Sequence, residues 1–285
     1  MGWTRTDPLH AWAVGTFGET QYTVDGGTTW KRVQVGNTYG HHYAVDFASD
    51  NTRGWLAGDG DQSNNHGVIY RSVDGGKTWS LQLSTGSLDI IYDLAAVTPR
   101  QAVAVSALGY IRYTTNGGAT WRKAHRGSGT LLNAVDFTGQ TGWVAGNGST
   151  VEKSVDGGRT WVVRNPQPGY NAAFMDVSFA NQSNGWVVGF YGDVFHTTNG
   201  GQTWQRQTVQ GAGDTAFLDI EAISPTTAWI SGGSMNGFVA RTTDGGVTWT
   251  REVLPGEPLS IGALEFLSAD EGWAGGWTGV WHRSA

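Results

Sequence analysis

Apolar residues along this chain fall into short runs separated by glycine-rich turns, with no heptad and no 3.6-residue stripe running through them. That pattern predicts many short β-strands and no long helix. One apolar phrase returns seven times: AWAVG at 11–15, GWLAG at 54–58, AVAVS at 102–106, GWVAG at 142–146, GWVVG at 185–189, AWISG at 228–232 and GWAGG at 272–276. A second precedes most copies: AVDF at 44–47, DLAAV at 93–97, AVDF at 134–137, DVSF at 176–179, DIEA at 219–222 and ALEF at 263–266. A third closes six of the units, as VDGGTTW ending at Trp30 and its counterparts ending at Trp79, Trp121, Trp161, Trp204 and Trp249. Those tryptophans stand 49, 42, 40, 43 and 45 residues apart, the spacing of propeller blades rather than helical solenoids.

Each unit reads as four strands: an inner AVDF-type strand, the GWVAG strand, the run into the turn, and an outer strand after Trp. The expected fold is all-β, a single seven-bladed β-propeller of four-stranded antiparallel blades covering 1–33, 34–82, 83–124, 125–164, 165–207, 208–252 and 253–285. Asp or Asn followed by two glycines supplies the positive-φ residues of a tight turn, and the side chain can bond the amides ahead of it. Asp25, Asp74, Asn116, Asp156, Asn199 and Asp244 are therefore read as structural. Asn in two copies keeps the turn chemistry but cannot serve as a carboxylate base.

Of the tryptophans, twelve fall on the second or outer strand and are assigned to the core, leaving Trp3, Trp277 and Trp281 outside the pattern. Bases two places past the outer Trp (Arg32, Lys123, Arg206 and Arg251) put charge on an edge strand and discourage sheet-to-sheet association. At the N-terminus, Trp3-Thr4-Arg5 copies Trp249-Thr250-Arg251, as if it closed the ring as the last unit's outer strand. Yet DPLHAW at 7–12 aligns with SPTTAW at 224–229, which places Trp3 on the first unit's inner strand, the favoured of the two readings. The last unit, GVWHRSA, is then short of its outer strand.

Composition agrees with short strands and tight turns: 44 Gly and 15 Trp, with 15% charged residues. A net charge of −6 gives no basic footprint for nucleic acid or an anionic membrane surface. The chain has no cysteine, which excludes a disulfide framework, a thiolate metal site and a thiol nucleophile. No apolar run is long enough to span a bilayer, so the protein is not expected to be membrane-embedded, and the opening MGWTRTDPLHAW lacks the apolar core of a signal peptide.

Catalytic phrases of the G-x-S-x-G, H-E-x-x-H and Gly-Lys-Ser/Thr kinds are absent. Inner strands offer Asp46, Asp93, Asp136, Asp176, Asp219, Glu221 and Glu265, nearly a ring. A glycosidase needs two carboxylates about 5–10 Å apart across one bond. Acids spread one per blade suit a structural role better, bonding a neighbouring blade's backbone. His41 and His42 are adjacent in an extended segment and point apart, which favours a loop over a metal site.

The phrase S/T-x-D/N-G-G-x-T-W resembles the Asp-box, or BNR repeat, of sialidases, xyloglucan-degrading hydrolases, sortilin-type receptors and photosystem II assembly factors. Its pairing with GWxxG looks most like the photosystem II assembly factor family and its bacterial relatives. The resemblance implies a non-catalytic protein-binding or assembly scaffold, with the Asp-box remote from any site. It also implies an exported location, whether periplasmic, lumenal or extracellular. The alternative is an exported carbohydrate-active protein, a lectin-like binder or a glycoside hydrolase or sialidase relative.

A partner, protein or glycan, is expected at the face opposite the Asp-box turns, where loops vary in length and chemistry. Those loops hold Phe17, Tyr39, His41, His42, Tyr110, His125, Tyr170, Phe190, Tyr191 and Trp277, and exposed aromatics on a rigid scaffold suit recognition. The second unit also carries an insertion, DGDQSNNHG at 59–67. Its Asp59, Asp61, Ser63 and Asn65 alternate like the first ligands of an EF-hand loop, but Tyr70 stands where the bidentate Glu belongs. A weak calcium site or a plain polar hairpin follows from this; no other cofactor is expected.

Overall fold

The computed structural model describes all residues except 1, 6–8, 37–39, 61–65, 127–128, 168, 234–236, 255–258, 267, 269, 277–278 and 284–285. The described residues form a seven-bladed β-propeller of small antiparallel sheets, six with four strands and the last with three. The first sheet runs β1 (Gly2–Arg5), β2 (Ala11–Val14), β3 (Thr20–Thr23), β4 (Lys31–Arg32). The second runs β5 (His42–Phe47), β6 (Gly54–Asp59), β7 (Gly67–Ser72), β8 (Ser80–Ser84), and the third β9 (Ile91–Thr98), β10 (Gln101–Ser106), β11 (Tyr110–Thr114), β12 (Arg122–Arg126). The fourth holds β13 (Leu132–Thr138), β14 (Thr141–Gly146), β15 (Val151–Ser154) and β16 (Val162–Val163).

In the fifth sheet are β17 (Phe174–Phe179), β18 (Gly185–Gly189), β19 (Val194–Thr197) and β20 (Gln205–Arg206). The sixth has β21 (Phe217–Ala222), β22 (Ala228–Gly232), β23 (Phe238–Thr242) and β24 (Thr250–Glu252), and the seventh β25 (Ile261–Phe266), β26 (Gly272–Gly276) and β27 (Gly279–Arg283). The chain packs as two compact units, residues 1–142 with 154–161, and 143–153 with 162–285. As the alignment of DPLHAW predicted, Trp3 lies on the first sheet's inner strand, opposite Ala13.

The recurring Gly-Trp pair has a steric cause. Gly54 lies opposite Phe47, Gly185 opposite Phe179 and Gly272 opposite Phe266. A Cβ at these glycines would stand 2.6, 2.3 and 2.3 Å from the ring. In the sixth sheet the small residue is Ala228, and its partner is Ala222 in place of Phe. The following Trp is buried in every blade that has one: Trp12, Trp55, Trp143, Trp186, Trp229 and Trp273. A base from the third strand covers several of these rings, with Arg71 5.3 Å from Trp55, Lys153 5.0 Å from Trp143 and Arg241 5.4 Å from Trp229.

The outer tryptophans correct the expectation of a uniform core. Trp249 is buried, while Trp30, Trp79, Trp121, Trp161 and Trp204 are half-buried just ahead of the outer strands. Their position is that of a seal, with one edge on the core and the indole N–H of Trp79 and Trp161 donated to the turn carbonyls of Gly76 and Gly158 (2.9 and 3.0 Å).

The inner-strand acids tie consecutive blades. Asp46 accepts the Ala96 amide at 2.8 Å and the Thr4 hydroxyl at 3.0 Å. Asp93 accepts Val135 N–H (2.7 Å), Asp176 accepts Ile220 N–H and Asp219 accepts Leu264 N–H (both 2.8 Å). Along their own strands they take one of two positions. Asp46, Glu221 and Glu265 pair across from a tryptophan, whereas Asp93, Asp176 and Asp219 sit two positions along, across from Val105, Val188 and Ser231.

Candidate partner-binding site

The two ends of each sheet are built differently. At one end the Asp-box folds on itself. Asp156 accepts Thr160 N–H (3.0 Å), the Thr160 hydroxyl (2.7 Å) and the Ser154 hydroxyl (2.9 Å), while Gly158 N–H donates to Ser154 (3.0 Å). Burial is the largest single influence on Asp156 and raises its pKa, but the bonds from Thr160, Ser154 and Arg159 together outweigh it and hold the carboxyl below its usual range. The equivalent bonds, led by Thr29 and Thr248, bring Asp25 and Asp244 down to about 2. Asn116 reproduces the pattern, accepting Thr120 N–H and donating its amide to the Thr120 hydroxyl, both at 3.0 Å.

The box is also locked to its surroundings. Its first glycine donates to the turn between the first two strands, as in Gly75 to Thr52, Gly117 to Arg100 and Gly245 to Thr226. The carbonyl of that glycine accepts from the preceding blade: Arg71 to Gly117, Gln101 to Gly157 (3.2 Å), Lys153 to Gly200 (3.2 Å) and Gln207 to Gly245 (2.6 Å). Sequence reading treated the box as a local turn and missed this second role. The signal was present, because the donors are polar residues beside buried strand positions.

At the opposite end lie the hairpins between second and third strands and the links entering each inner strand. In the first unit, Phe17 tips the 3₁₀ turn Thr16–Gly18 with φ +56° and is 59% exposed. Its ring is 5.6 Å from His41, which stacks 6.0 Å from Tyr43, and Tyr43 lies 5.5 Å from Tyr92. The buried Asp59 carboxylate anchors this row, accepting the His41 amide, His41 Nδ1–H at 3.0 Å and Tyr43 O–H at 3.1 Å. Burial, then the charge of Asp59, pushes the Tyr43 phenol well above its ordinary range.

Of the proposed calcium ligands, Asp59 is thus directed at His41 and Tyr43, and Asp61, Ser63 and Asn65 lie outside the described residues. His42 corrects the reading of the pair as a loop: it opens β5, is 2% exposed and bonds Thr20 Oγ1 at 2.8 Å. Burial brings its pKa to about 4, leaving a neutral core imidazole. Tyr110 opens β11, half-buried under Lys123, whose Nζ is 3.5 Å from the ring centre. Leu88, which sequence reading passed over, stands in the link before β9 with φ +65° and 60% exposure. Its place in a variable link was the only signal available. Tyr39 and Trp277 lie outside the described residues, and His125 is on β12.

In the second unit, Phe190 and Tyr191 sit on the hairpin between β18 and β19, their rings 6.5 Å apart. Tyr191 has φ +59° and is 73% exposed. Tyr170 donates its hydroxyl to Asp193 at 2.8 Å, a bond that raises its pKa, and Arg206 completes the group at 2.9 Å from Asp193. The left-handed region is costly for any residue with a Cβ. Phe17, Leu88 and Tyr191 therefore hold large apolar side chains in solvent on strained backbone, all at the loop ends.

Curated relatives include Photosystem II assembly lipoprotein Ycf48 of Picosynechococcus sp. (strain ATCC 27264 / PCC 7002 / PR-6), 28% identical over 191 residues that cover 53% of this chain and 56% of the relative. The counterpart from Synechococcus sp. (strain CC9902) is 28% identical over 120 residues, covering 41% and 34%. This chain thus spans about a third to a half of the length of the curated relatives it matches.

Among solved structures, YCF48 bound to D1 peptide superposes with a TM-score of 0.76 at 20% identity, covering 99% of this chain and 89% of that one. The GH74 xyloglucanase from Xanthomonas campestris gives 0.79 at 14% identity, covering 99% and 51%. At these identities the likeness is one of fold. No helix among the described residues is long and apolar enough to cross a membrane. The family model described as photosynthesis system II assembly factor YCF48 matches residues 2–130, 81–169 and 166–272, and over that span the chain belongs to this family.

Proposed function

We propose that this chain is a non-catalytic assembly scaffold that binds a protein segment through the loop ends of its blades, on the exported side of a membrane. The observation that carries this reading is the strained exposure of Phe17, Leu88 and Tyr191, since residues kept in a costly conformation with their side chains in water favour a role in contact. One YCF48 is described as bound to a D1 peptide, and relatives are named lipoproteins; both fit a protein partner met outside the cytoplasm. The commitment of Asp46, Asp93, Asp176 and Asp219 to backbone amides favours binding over hydrolysis. Trp277 and Tyr39 remain in the proposed contact set by their place in the variable loops, alongside His41, Tyr110, Tyr170 and Phe190, while His125, a strand residue, leaves it.

The test is calorimetric binding of a D1 peptide to the chain and to single variants. Tyr191→Ala, Phe17→Ala and Trp277→Ala are expected to weaken binding at least tenfold with the fold retained. Lys77→Ala and Arg159→Ala, in Asp-box turns, are expected to leave it unchanged. Loss of binding in the turn variants with retention in the aromatic ones would place the site on the other face.

A further inference from the structure

Asp59 does more than close β6. It is 5% exposed and accepts the His41 amide, His41 Nδ1–H at 3.0 Å and Tyr43 O–H at 3.1 Å. A carboxylate only accepts, so each of these bonds commits a donor that the loop end could otherwise offer to a partner. The Tyr43 phenol, its pKa pushed up by burial and then by the charge of Asp59, stays protonated and stays committed. With the proton on Nδ1, the neutral His41 ring keeps a lone pair on Nε2, on the side away from Asp59.

The rings held this way form a series. Phe17, His41, Tyr43 and Tyr92 follow one another with centroids 5.6, 6.0 and 5.5 Å apart, Phe17 exposed and the other three half-buried. The row therefore offers ring faces and one oriented acceptor, with the donors of His41 and Tyr43 already taken. A segment that laid a backbone N–H against every ring would leave most of them without a partner, a costly state where water is excluded. Proline has no N–H to leave. Spacing points the same way. A polyproline II segment advances about 6.2 Å over two residues, close to one step of the row, with its carbonyls left in water. A β-strand advances about 6.7 Å over two residues and runs further out of step at each ring.

We infer that this row binds a proline-rich segment of the partner in the polyproline II form, with proline rings on the aromatic faces and one N–H, from a non-proline residue between them, donated to His41 Nε2. Such a segment is preformed, so docking on an aromatic row orders little that was free before. His41 sets the register of the segment, because it supplies the one oriented acceptor. Asp59 is a positioning residue that holds the His41 tautomer. The inference rests on the loop-end reading above and adds the chemistry of the segment taken by the first unit.

The experiment titrates fluorescein-labelled APPLPPA against the whole chain by anisotropy, beside the same peptide with alanine for every proline and a third with N-methyl-leucine at its centre. Saturable binding of the first is expected, with the alanine peptide bound about tenfold more weakly. Phe17→Ala and Tyr92→Ala, checked for fold by circular dichroism, are each expected to weaken binding by about tenfold. The N-methyl peptide, which lacks the central N–H, is expected to bind the wild type more weakly than its parent and to bind His41→Phe equally well. No saturable binding of APPLPPA, equal binding of all three peptides, or binding indifferent to Phe17→Ala and Tyr92→Ala would overturn the inference. So would binding of a xyloglucan oligosaccharide without binding of the peptide, the rings then stacking sugars. A D1 peptide titrated in parallel separates the two readings. If Phe17→Ala weakens its binding while APPLPPA does not bind, the proline reading falls and the loop ends stand. If neither peptide depends on Phe17, Tyr92 or Tyr191, both readings fall.

Discussion

Gly185 lies directly opposite Phe179, so close that a Cβ would stand 2.3 Å from the ring. The second-strand tryptophans are therefore preceded by glycine wherever the inner strand ends in Phe. Gly185→Ala is expected to cost about 1–3 kcal/mol, the usual penalty of overpacking a closed core. Ala228→Gly, at the position paired with Ala222, is expected to cost about 1 kcal/mol or less. Chemical denaturation of the two variants checks the order, and equal losses would refute it.

Asp156→Ala removes the acceptor for four donors of its turn, from Ser154, Arg159 and Thr160, and is expected to cost about 1 kcal/mol. Asp156→Asn is expected to cost less, because Asn116 in the third blade keeps the bond from the Thr120 amide and reverses the one to the Thr120 hydroxyl by donating to it. Partner binding should be unaffected by either, which separates a structural box from a functional one.

Burial raises Asp46 to about 6 and Asp93 to about 8, against 3.8 for the unfolded side chain. In that window the folded state holds protons that the unfolded state has released. Stability from Asp93 is thus fully present below about pH 4 and lost as pH rises toward about 8. Buried His42 and His196, both lowered to about 4, act in the opposite sense as pH falls through 6.5. The difference between wild type and Asp93→Asn isolates the first effect: the variant's melting temperature is expected to decline less between pH 5 and pH 8 (about the span set by that shift). Parallel curves would contradict it.

At position 191 strain and contact can be separated. Tyr191→Gly and Tyr191→Ala remove the same ring, but only glycine relieves the left-handed backbone. The glycine variant is expected to be more stable than the alanine variant by about 1 kcal/mol, with partner affinity lowered equally in both.

The outer strand of the fourth blade is Val162–Val163, exposed at 54% and 59%, where four other blades place a base two residues past Trp. An uncharged apolar edge invites sheet-to-sheet association. Val163→Arg is expected to raise the concentration at which light scattering begins while leaving the melting temperature within experimental error.

Blade number, strand order and the Asp-box were legible because each is written several times, and repetition averages out the weakness of any single phrase. Trp3 on the inner strand and the short last blade also followed from alignment of repeats. What escaped were relationships that alternate between blades. Arg71 and Lys153 reach the next Asp-box glycine from the third strand, Gln101 from the second and Gln207 from just past the fourth, so no single spacing reveals all of them. His42 was misplaced because a hydrogen bond to Thr20, distant in sequence, is what makes its burial tolerable. Leu88 and Tyr43 gained their places from backbone strain and from Asp59, neither of which a residue pattern records.

The inner-strand carboxylates share one direction. Asp46, Asp93, Asp176 and Asp219 each hold an amide of the following blade, later in the chain. During synthesis a finished blade therefore presents a ready acceptor to the blade still emerging from the ribosome, and each addition satisfies the one before it. Growth from the N-terminus thus leaves one carboxylate, a group that water solvates well, at the open edge, where growth from the other end would leave one backbone amide.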